Sequence, residues 1–587
     1  MNTNKKICVI TILGTLLLTI AASMPVLGSE EDELPAETSM LGLSTNSLIS
    51  IETKANLVSP TVKINIDPNT IIYEGDIINC TITGNPTFIY WSINNQSKHT
   101  TFYDDPVIFD PEPTPLNTDY VNLTVYAENI AGNDSDTIEV SIKRIYFGDI
   151  HWHSILSDGN FSLKTNYMKI KEDNYLDFAC STEHSEFWFS DAKYLFPIAW
   201  PRIKSLVKSE YDPGNFTTFL AYEYSGTKMN IGNIHLPLIG YSSHINFYYK
   251  DFYKDASKYS SKIRRTYEAI FRVMNKELNK GHYSIGFFHH PLAGDMQLSR
   301  FYSIDVANYN FFINWTYIIN KMKNEEFRGD ILKIIRGVEI YSRWGTSIGN
   351  YSNITVPWQY NQSVIYDDPD CWVENALWEW SESSYTRGYP FVLIASSDNH
   401  HFDRPGSADI SKEESYYNLQ NPCGIIAAYS IHNTRDELWD AMNNCNVYGS
   451  QLLKIRANVR FDGQMALGQW INCSSPLCIN ITAMSTFSGL DIGYKNMSPY
   501  NYSSEELDHP IQDIWLIKKD RSEGRPWCKV INHTTPNENI AIATFEDDDV
   551  QPNDFYWVAI RQKGQELRPG QNEYMAFIGP VFINKVE

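Results

Sequence analysis

Histidines and carboxylates share the same short segments in the middle of this chain. Of its 14 histidines, most between 144 and 453 close an apolar run beside an acid. The segment GDIHWHSILSDG carries His151, His153 and Asp158, and DFACSTEHSEF carries Glu183 and His184. FLAYEYSG places Glu223 after an apolar run, IGFFHHPLAGD holds His289 and His290, and VLIASSDNHHFDRPG supplies Asp398 and His400. Imidazole nitrogen with carboxylate oxygen is the donor set of Zn, Mn and Fe sites. On a strand, residues i and i+2 share a face, so His151 with His153, and Asp398 with His400, can reach one cation. His289 and His290 are adjacent and face opposite ways, so one of the two is the expected ligand. Each cluster alone reads equally well as polar residues closing a strand, and Glu223 alone as an edge acid. Five together are another matter, because converging buried imidazoles and carboxylates without a cation would carry a large desolvation cost.

Such clusters need a scaffold that brings distant segments together. Apolar strands are expected at 145–150, 177–182, 216–225, 283–288, 337–342, 391–397 and 424–430, separated by helical stretches such as 262–280. Strand–helix alternation of this kind implies parallel βα units, a barrel or a doubly wound sheet. In a barrel, chemistry sits at the C-terminal ends of the strands, where these clusters lie. On either side the pattern is different. From 60 to 143 short period-2 strands alternate with turns, and the ending YVNLTVYAENIAGNDSDTIEVSI resembles PKD/Ig-like modules, implying a β-sandwich. From 454 to 587 alternation returns without a long helix, which suggests a second β-sandwich.

The order HxH…D-G, T-(D/E)-H, a glutamate, H-P, then S-D-x-H resembles the PHP (polymerase and histidinol phosphatase) family of metal-dependent phosphoesterases, across 144–453. The stretch AMNNCNVYGSQLLKIRANVRFDGQMALG is also similar to a PHP-like subfamily of exported proteins. The resemblance implies a distorted (β/α)7 barrel holding two or three divalent ions, Zn, Mn or Fe. Carried over, His151, His153 and Asp398 hold one ion and Glu223 bridges to a second. His290, before the proline, matches the H-P ligand. Asp158, His184 and His400 hold a third ion, with Asp158 standing where many relatives have His. Glu183 supports a ligand from behind rather than touching metal, His235 is the candidate for a further family histidine, and Glu339 lies beside or behind the metals. Glu223 and Asp398 are the expected catalytic carboxylates, and Arg404 or Arg343 the expected ligand of a phosphate oxygen.

Clustered divalent ions suit phosphoester hydrolysis because they acidify water toward a pKa of ~7 and neutralise phosphoryl charge. The leading expectation is therefore a secreted phosphoesterase acting on a small-molecule or surface phosphoester. Two others stay open: hydrolysis of a non-phosphate ester, amide or glycan bond by the same site, and a cell-surface binding or adhesion protein with structural metals. No GxGxxG or GxxxxGK[ST] follows any strand, which disfavours nucleotide folds.

Composition bounds the rest. With 587 residues, 43% hydrophobic and 14% aromatic, the chain is too apolar to be disordered and long enough for several domains. A net charge of −22 argues against non-specific nucleic-acid binding. Residues 1–28 read as a signal peptide, with cleavage near Gly28 or retention as an N-terminal anchor, and 29–59 as a linker. No later segment is apolar enough to span a membrane, so a secreted or cell-surface location is expected. Sequons such as Asn79, Asn95, Asn122, Asn215, Asn314, Asn353 and Asn501 suit a glycoprotein. Eight of the 9 cysteines follow the leader, and Cys473 and Cys478 are close enough in sequence to pair.

Overall fold

The computed structural model describes residues 58–586 apart from several segments, among them 102–113, 186–195, 226–229, 236–243, 253–265, 290–291, 297–308, 349–371, 401–404, 407–421, 486–508 and 523–526. The leader and nearly all of the linker lie outside the described residues. The fold is mostly β-sheet with few helices. The chain divides into two compact units, one comprising residues up to 72, 77–112 and 118–141, the other 73–76, 113–117 and 142–587.

In the first unit, Val121–Asn129 turns back antiparallel onto the strand that begins at Gly132, with Asn129 opposite Gly132 and Val121 opposite Val140. The turn is stitched by Asn129, whose Oδ1 accepts the N–H groups of Ala131 (2.8 Å) and Gly132 (3.2 Å). Phe88–Ile93 pairs along the other edge of Val121–Asn129, and Thr61–Ile64 pairs with Cys80–Thr83. Asp134 and Asp136, two apart on one face, accept the N–H groups of Val62 and Ile64 at 2.8 Å. Alternation along these strands buries Trp91, Leu123, Val125, Ala127 and Val140.

The second unit is organised around two ladders. In the first, the strand ending at Asp149 runs parallel to Phe178–Ala179, which runs parallel to Thr217–Thr218. In the second, Leu220–Ser225 pairs antiparallel with His244–Tyr249, and that strand pairs antiparallel with Ser284–His289. Ser284–His289 is parallel to Ile335–Ser342, itself parallel to Val392–Ala395. Isolated parallel bridges, Trp152 to Asn399 and His184 to Glu223, link the ends of the two ladders. Ser284–His289 and Val392–Ala395 are buried along their whole length, as sheets covered on both faces are. Helices supply part of that cover. Tyr267–Leu278 starts at Thr266, whose Oγ1 accepts the Ala269 N–H at 3.2 Å, and buries Tyr267, Ile270, Phe271 and Met274 at helical spacing.

Two strands depart from the parallel expectation. Gly424–Ser430, expected among the parallel units, pairs antiparallel on both sides. His244–Tyr249 (HINFYY) is not among the strands expected from sequence and runs antiparallel to both neighbours. All six of its residues are buried, so the sequence shows no period-2 signal there.

The strand ending at Asp149 also pairs antiparallel with Gly424–Ser430, and that strand with Val447–Gln451. Val447–Gln451 pairs with Gln571–Lys585, which extends through Phe555–Arg568 and Ile511–Asp520 to Trp527–Thr534. Arg456–Phe461, Leu477–Met484 and Ile540–Asp547 form a separate antiparallel sheet. Residues 454–587 thus share hydrogen-bonded strands with the preceding region. Cys473 and Cys478 are free thiols, and Cys473 Sγ donates to Ser474 O at 2.9 Å instead of bonding its neighbour. Among the described residues no helix is long and apolar enough to cross a membrane.

Candidate metal centre

Strand ends from across the second unit meet at one place. His151, Trp152 and His153 leave the strand ending at Asp149, and alternation sends Trp152 away from the two imidazoles into a buried contact with Tyr167, ring centroids 5.2 Å apart. His151 Nε2 lies 3.2 Å from Asp398 Oδ1 and 3.4 Å from Glu223 Oε2. His153 Nε2 lies 3.1 Å from the same two oxygens. These four residues form one buried donor group, with donor atoms within 4.8 Å of one another.

Three further groups share its members, one of them His151 with His289 and Glu339, also buried. Glu223 with His244 and His289 forms a second, also buried. His153 with Asp158, His184 and His400 forms a third, the most open, where the Asp158 side chain is 24% exposed. In it, Asp158 Oδ2 lies 3.3 Å from both His184 Nε2 and His400 Nε2, and Asp158 Oδ1 3.6 Å from His153 Nδ1. The His153 ring stacks with that of His184 (4.4 Å) and with that of His400 (4.1 Å).

Backbone geometry aims these side chains. The Glu223 N–H donates to Glu183 O at 3.2 Å and the Ser185 N–H to Glu223 O at 3.0 Å, which sets His184 beside Glu223. Asp398 holds a φ of 49°, a left-handed conformation that costs a non-glycine residue roughly 1–3 kcal/mol. Its N–H donates to His151 O at 2.6 Å, so the unusual turn is held by the strand that carries the first two histidines.

The electrostatics follow from burying acids among imidazoles. Burial opposes charge on His151, yet the Asp398 and Glu339 carboxylates hold its pKa well above the usual value. Burial and His184 push His153 down, but hydrogen bonds to Asp398 and Glu223 prevail and raise it to about 9. Burial would raise Glu223 and Asp158; His184 and His244 hold the first, and His184 and His400 the second, well below the carboxylate range. His244 is lowered, chiefly by burial.

Of the residues expected from sequence, His151, His153, Asp158, His184, Glu223, Asp398 and His400 come together. His289 joins them, whereas His290 lies outside the described residues, as do Arg404 and the His235 side chain. Glu183 is in none of the described donor groups; its Oε2 accepts the Ser157 hydroxyl (2.7 Å) and the Ser154 N–H (3.2 Å), bracing the turn after His153. Arg343 is buried and donates from Nη1 to Asn399 Oδ1 at 3.3 Å, next to Asp398. Glu339 lies behind His151 and His289. His244 is the donor that sequence reasoning missed. Barrel logic points to the C-terminal ends of strands, and in this antiparallel strand the end at the site is the N-terminal one. A histidine opening the run HINFYY was the available signal.

With this geometry in view, known proteins offer limited company. No curated protein matches the chain. A family described as a protein of unknown function, DUF3604, matches residues 164–291. Among solved structures, the chain is similar to a two-domain protein containing a predicted PHP-like metal-dependent phosphoesterase from Bacteroides vulgatus. That similarity has 11% identity and a TM-score of 0.30, over 75% of this chain and 95% of that one. A Bacteroides uniformis β-glucuronidase is similar at 8% identity with a TM-score of 0.17, over 90% of this chain and 61% of that one.

The donor set itself fits cations. His153 Nε2 carries at most one proton, yet two carboxylate oxygens stand 3.1 Å from it. A single N–H cannot serve both well in a buried site, whereas a divalent cation accepts all of these donors at once.

Proposed function

We propose that this chain is an exported metal-dependent phosphoesterase with a distorted barrel as its catalytic core. The observation that carries the reading is the overlap of donor groups: His153 belongs to two and Glu223 to two, so cations held there are neighbours. His151, His153, Glu223 and Asp398 would hold one ion, Glu223, His244 and His289 a second, and His153, Asp158, His184 and His400 a third. When bound, such ions acidify water and neutralise phosphoryl charge.

The protein's own residues do the rest. Glu223 stays ionised among imidazoles and, with Asp398, sets the spacing of the site. His184, His400 and Asp158 form the partly exposed side, where a small-molecule or surface-displayed phosphoester enters. Water adds at phosphorus, the P–O bond to the alcohol breaks, and the alcohol leaves with a proton. Arg404 is the proposed cation for a non-bridging oxygen. Arg343, engaged with Asn399, is better suited to hold the turn after Asp398. The eight strands of the two ladders, from the one ending at Asp149 to Val392–Ala395, with the Trp152–Asn399 bridge, are read as the barrel. The leader at 1–28 directs export, and the flanking β-regions are accessory modules.

The test is turnover of p-nitrophenyl phosphate and bis(p-nitrophenyl) phosphate by protein stripped with a chelator and reloaded with Zn, Mn or Fe. Metal-restored hydrolysis supports the reading. Stoichiometric bound metal with no hydrolysis of either ester refutes it.

A further inference from the structure

Glu339 sits mid-strand in Ile335–Ser342, between Ser284–His289 and the strand Val392–Ala395. It is 3% exposed, and its two carboxylate oxygens face two different imidazoles. Oε2 lies 3.0 Å from His151 Nδ1, and Oε1 lies 2.7 Å from His289 Nδ1. The Ser396 hydroxyl, just beyond the adjacent strand, also donates to Oε2. The two imidazoles pack edge to face with centroids 3.8 Å apart, and both are buried.

Their far nitrogens point the other way, toward the donor groups. His151 Nε2 approaches Asp398 and Glu223, and His289 Nε2 lies 3.4 Å from Asp398 Oδ2. His151 belongs to the group with His153, and His289 to the group with His244.

We propose that Glu339 is a positioning residue that fixes both imidazoles as Nδ1–H tautomers, presenting the Nε2 lone pairs of His151 and His289 to two neighbouring cation sites at once. The inference rests on the metal-centre reading but not on the reaction catalysed. The chemistry is asymmetric in a testable way. A carboxylate has two acceptor oxygens and no donor, so it can take an N–H from each ring. An amide of the same shape has one acceptor oxygen and one NH2. Whichever ring faces that NH2 must accept at Nδ1, its proton moves to Nε2, and the nitrogen required by the cation is blocked. Partners of this kind typically contribute 10–100-fold to metal affinity. Glu339 is not a member of the group of His153, Asp158, His184 and His400, so that group serves as an internal control.

The experiment is metal affinity, by competition with a chromophoric chelator, for Zn or Mn on the full chain and its Glu339→Gln and Asp158→Asn variants. Glu339→Gln is expected to weaken roughly 10–100-fold the sites that use His151 and His289, with the Asp158-dependent site unchanged and the metal-free far-UV circular dichroism as in the wild type. Equal affinity of wild type and Glu339→Gln at every site overturns the proposal while leaving the metal centre standing. A wild type that binds no divalent metal overturns the metal-centre reading itself. Should Glu339→Gln fail to fold, 15N-histidine NMR of the metal-loaded wild type decides. Two buried Nε2-coordinated, Nδ1-protonated rings support the role, and Nδ1 coordination of His151 or His289 overturns it.

Discussion

His153 Nε2 and Asp398 Oδ1 stand 3.1 Å apart although 245 residues separate them in the chain. That contact joins the first strand of the central region to the last strand bearing a donor, and the whole candidate centre depends on it. His153 faces the first donor group with Nε2 and Asp158, in the third, with Nδ1.

His153→Ala is therefore expected to damage two groups together. Bound metal per chain, measured by plasma mass spectrometry after dialysis, should fall more steeply than in His400→Ala, which touches one group. Phosphoester turnover should fall at least ~100-fold, beyond the 10–100-fold typical of partners that merely orient ligands. Equal metal loss in the two variants would show that His153 is not shared.

Asp158 makes a narrower prediction. Its Oδ2 is 3.3 Å from both His184 and His400, in the group with partly exposed side chains. Asp158→Asn removes an anionic donor there and should lower metal at that group alone. Asp158→His should restore it, because an imidazole supplies a donor at the same edge. Retention of full metal content by Asp158→Asn would mean that Asp158 serves only as an ion-pair partner.

Gly337 tests the scaffold. A Cβ at this position would lie 2.0 Å from Val392 O, so Ile335–Ser342 and Val392–Ala395 can pair here only because the residue has no side chain. Gly337→Ala should separate the strand bearing Glu339 from the one leading to Asp398. A loss of roughly 1–3 kcal/mol or more in chemical denaturation, together with loss of metal, is expected. Wild-type melting and metal content would contradict the strand contact.

Lys519 supplies a pH-dependent prediction remote from the metals. Its side chain is fully buried, donates to Ser381 Oγ at 2.7 Å and lies over the Trp378 ring at 4.3 Å. Burial lowers its pKa to about 8, against which Glu382 pulls upward. In the unfolded chain the amine keeps its proton to ~10.4, so between pH 8 and 10 the unfolded state binds more protons. Stability referred to Lys519→Met should rise with pH in that window, by about 1.4 kcal/mol per unit at most. Urea melts of both proteins at pH 7 to 10 check it, and a constant difference would place the Lys519 pKa at its ordinary value.

Much of the centre was legible as residue types at strand ends. His151 with His153 and Asp398 with His400 were readable because period-2 spacing survives any fold that makes these segments strands. His244 was not, because its strand runs the opposite way and all its residues are buried. The choice between His289 and His290 was equally out of reach, since adjacent strand residues present the same chemistry to opposite faces.

What the sequence determined alone is local: donor types, their spacing, and the apolar runs that end in them. Pairing partners were decided by tertiary structure. Glu223 meets His153, His184 and His244 through strand registers set by packing across the chain. Glu339 stands behind two imidazoles because its strand lies between those carrying His289 and Ser396. The physical reason is that a metal centre is defined by distances among side chains, and sequence spacing sets distance only within one strand. Between strands, distance is set by hydrogen-bond register and by which buried faces pack together.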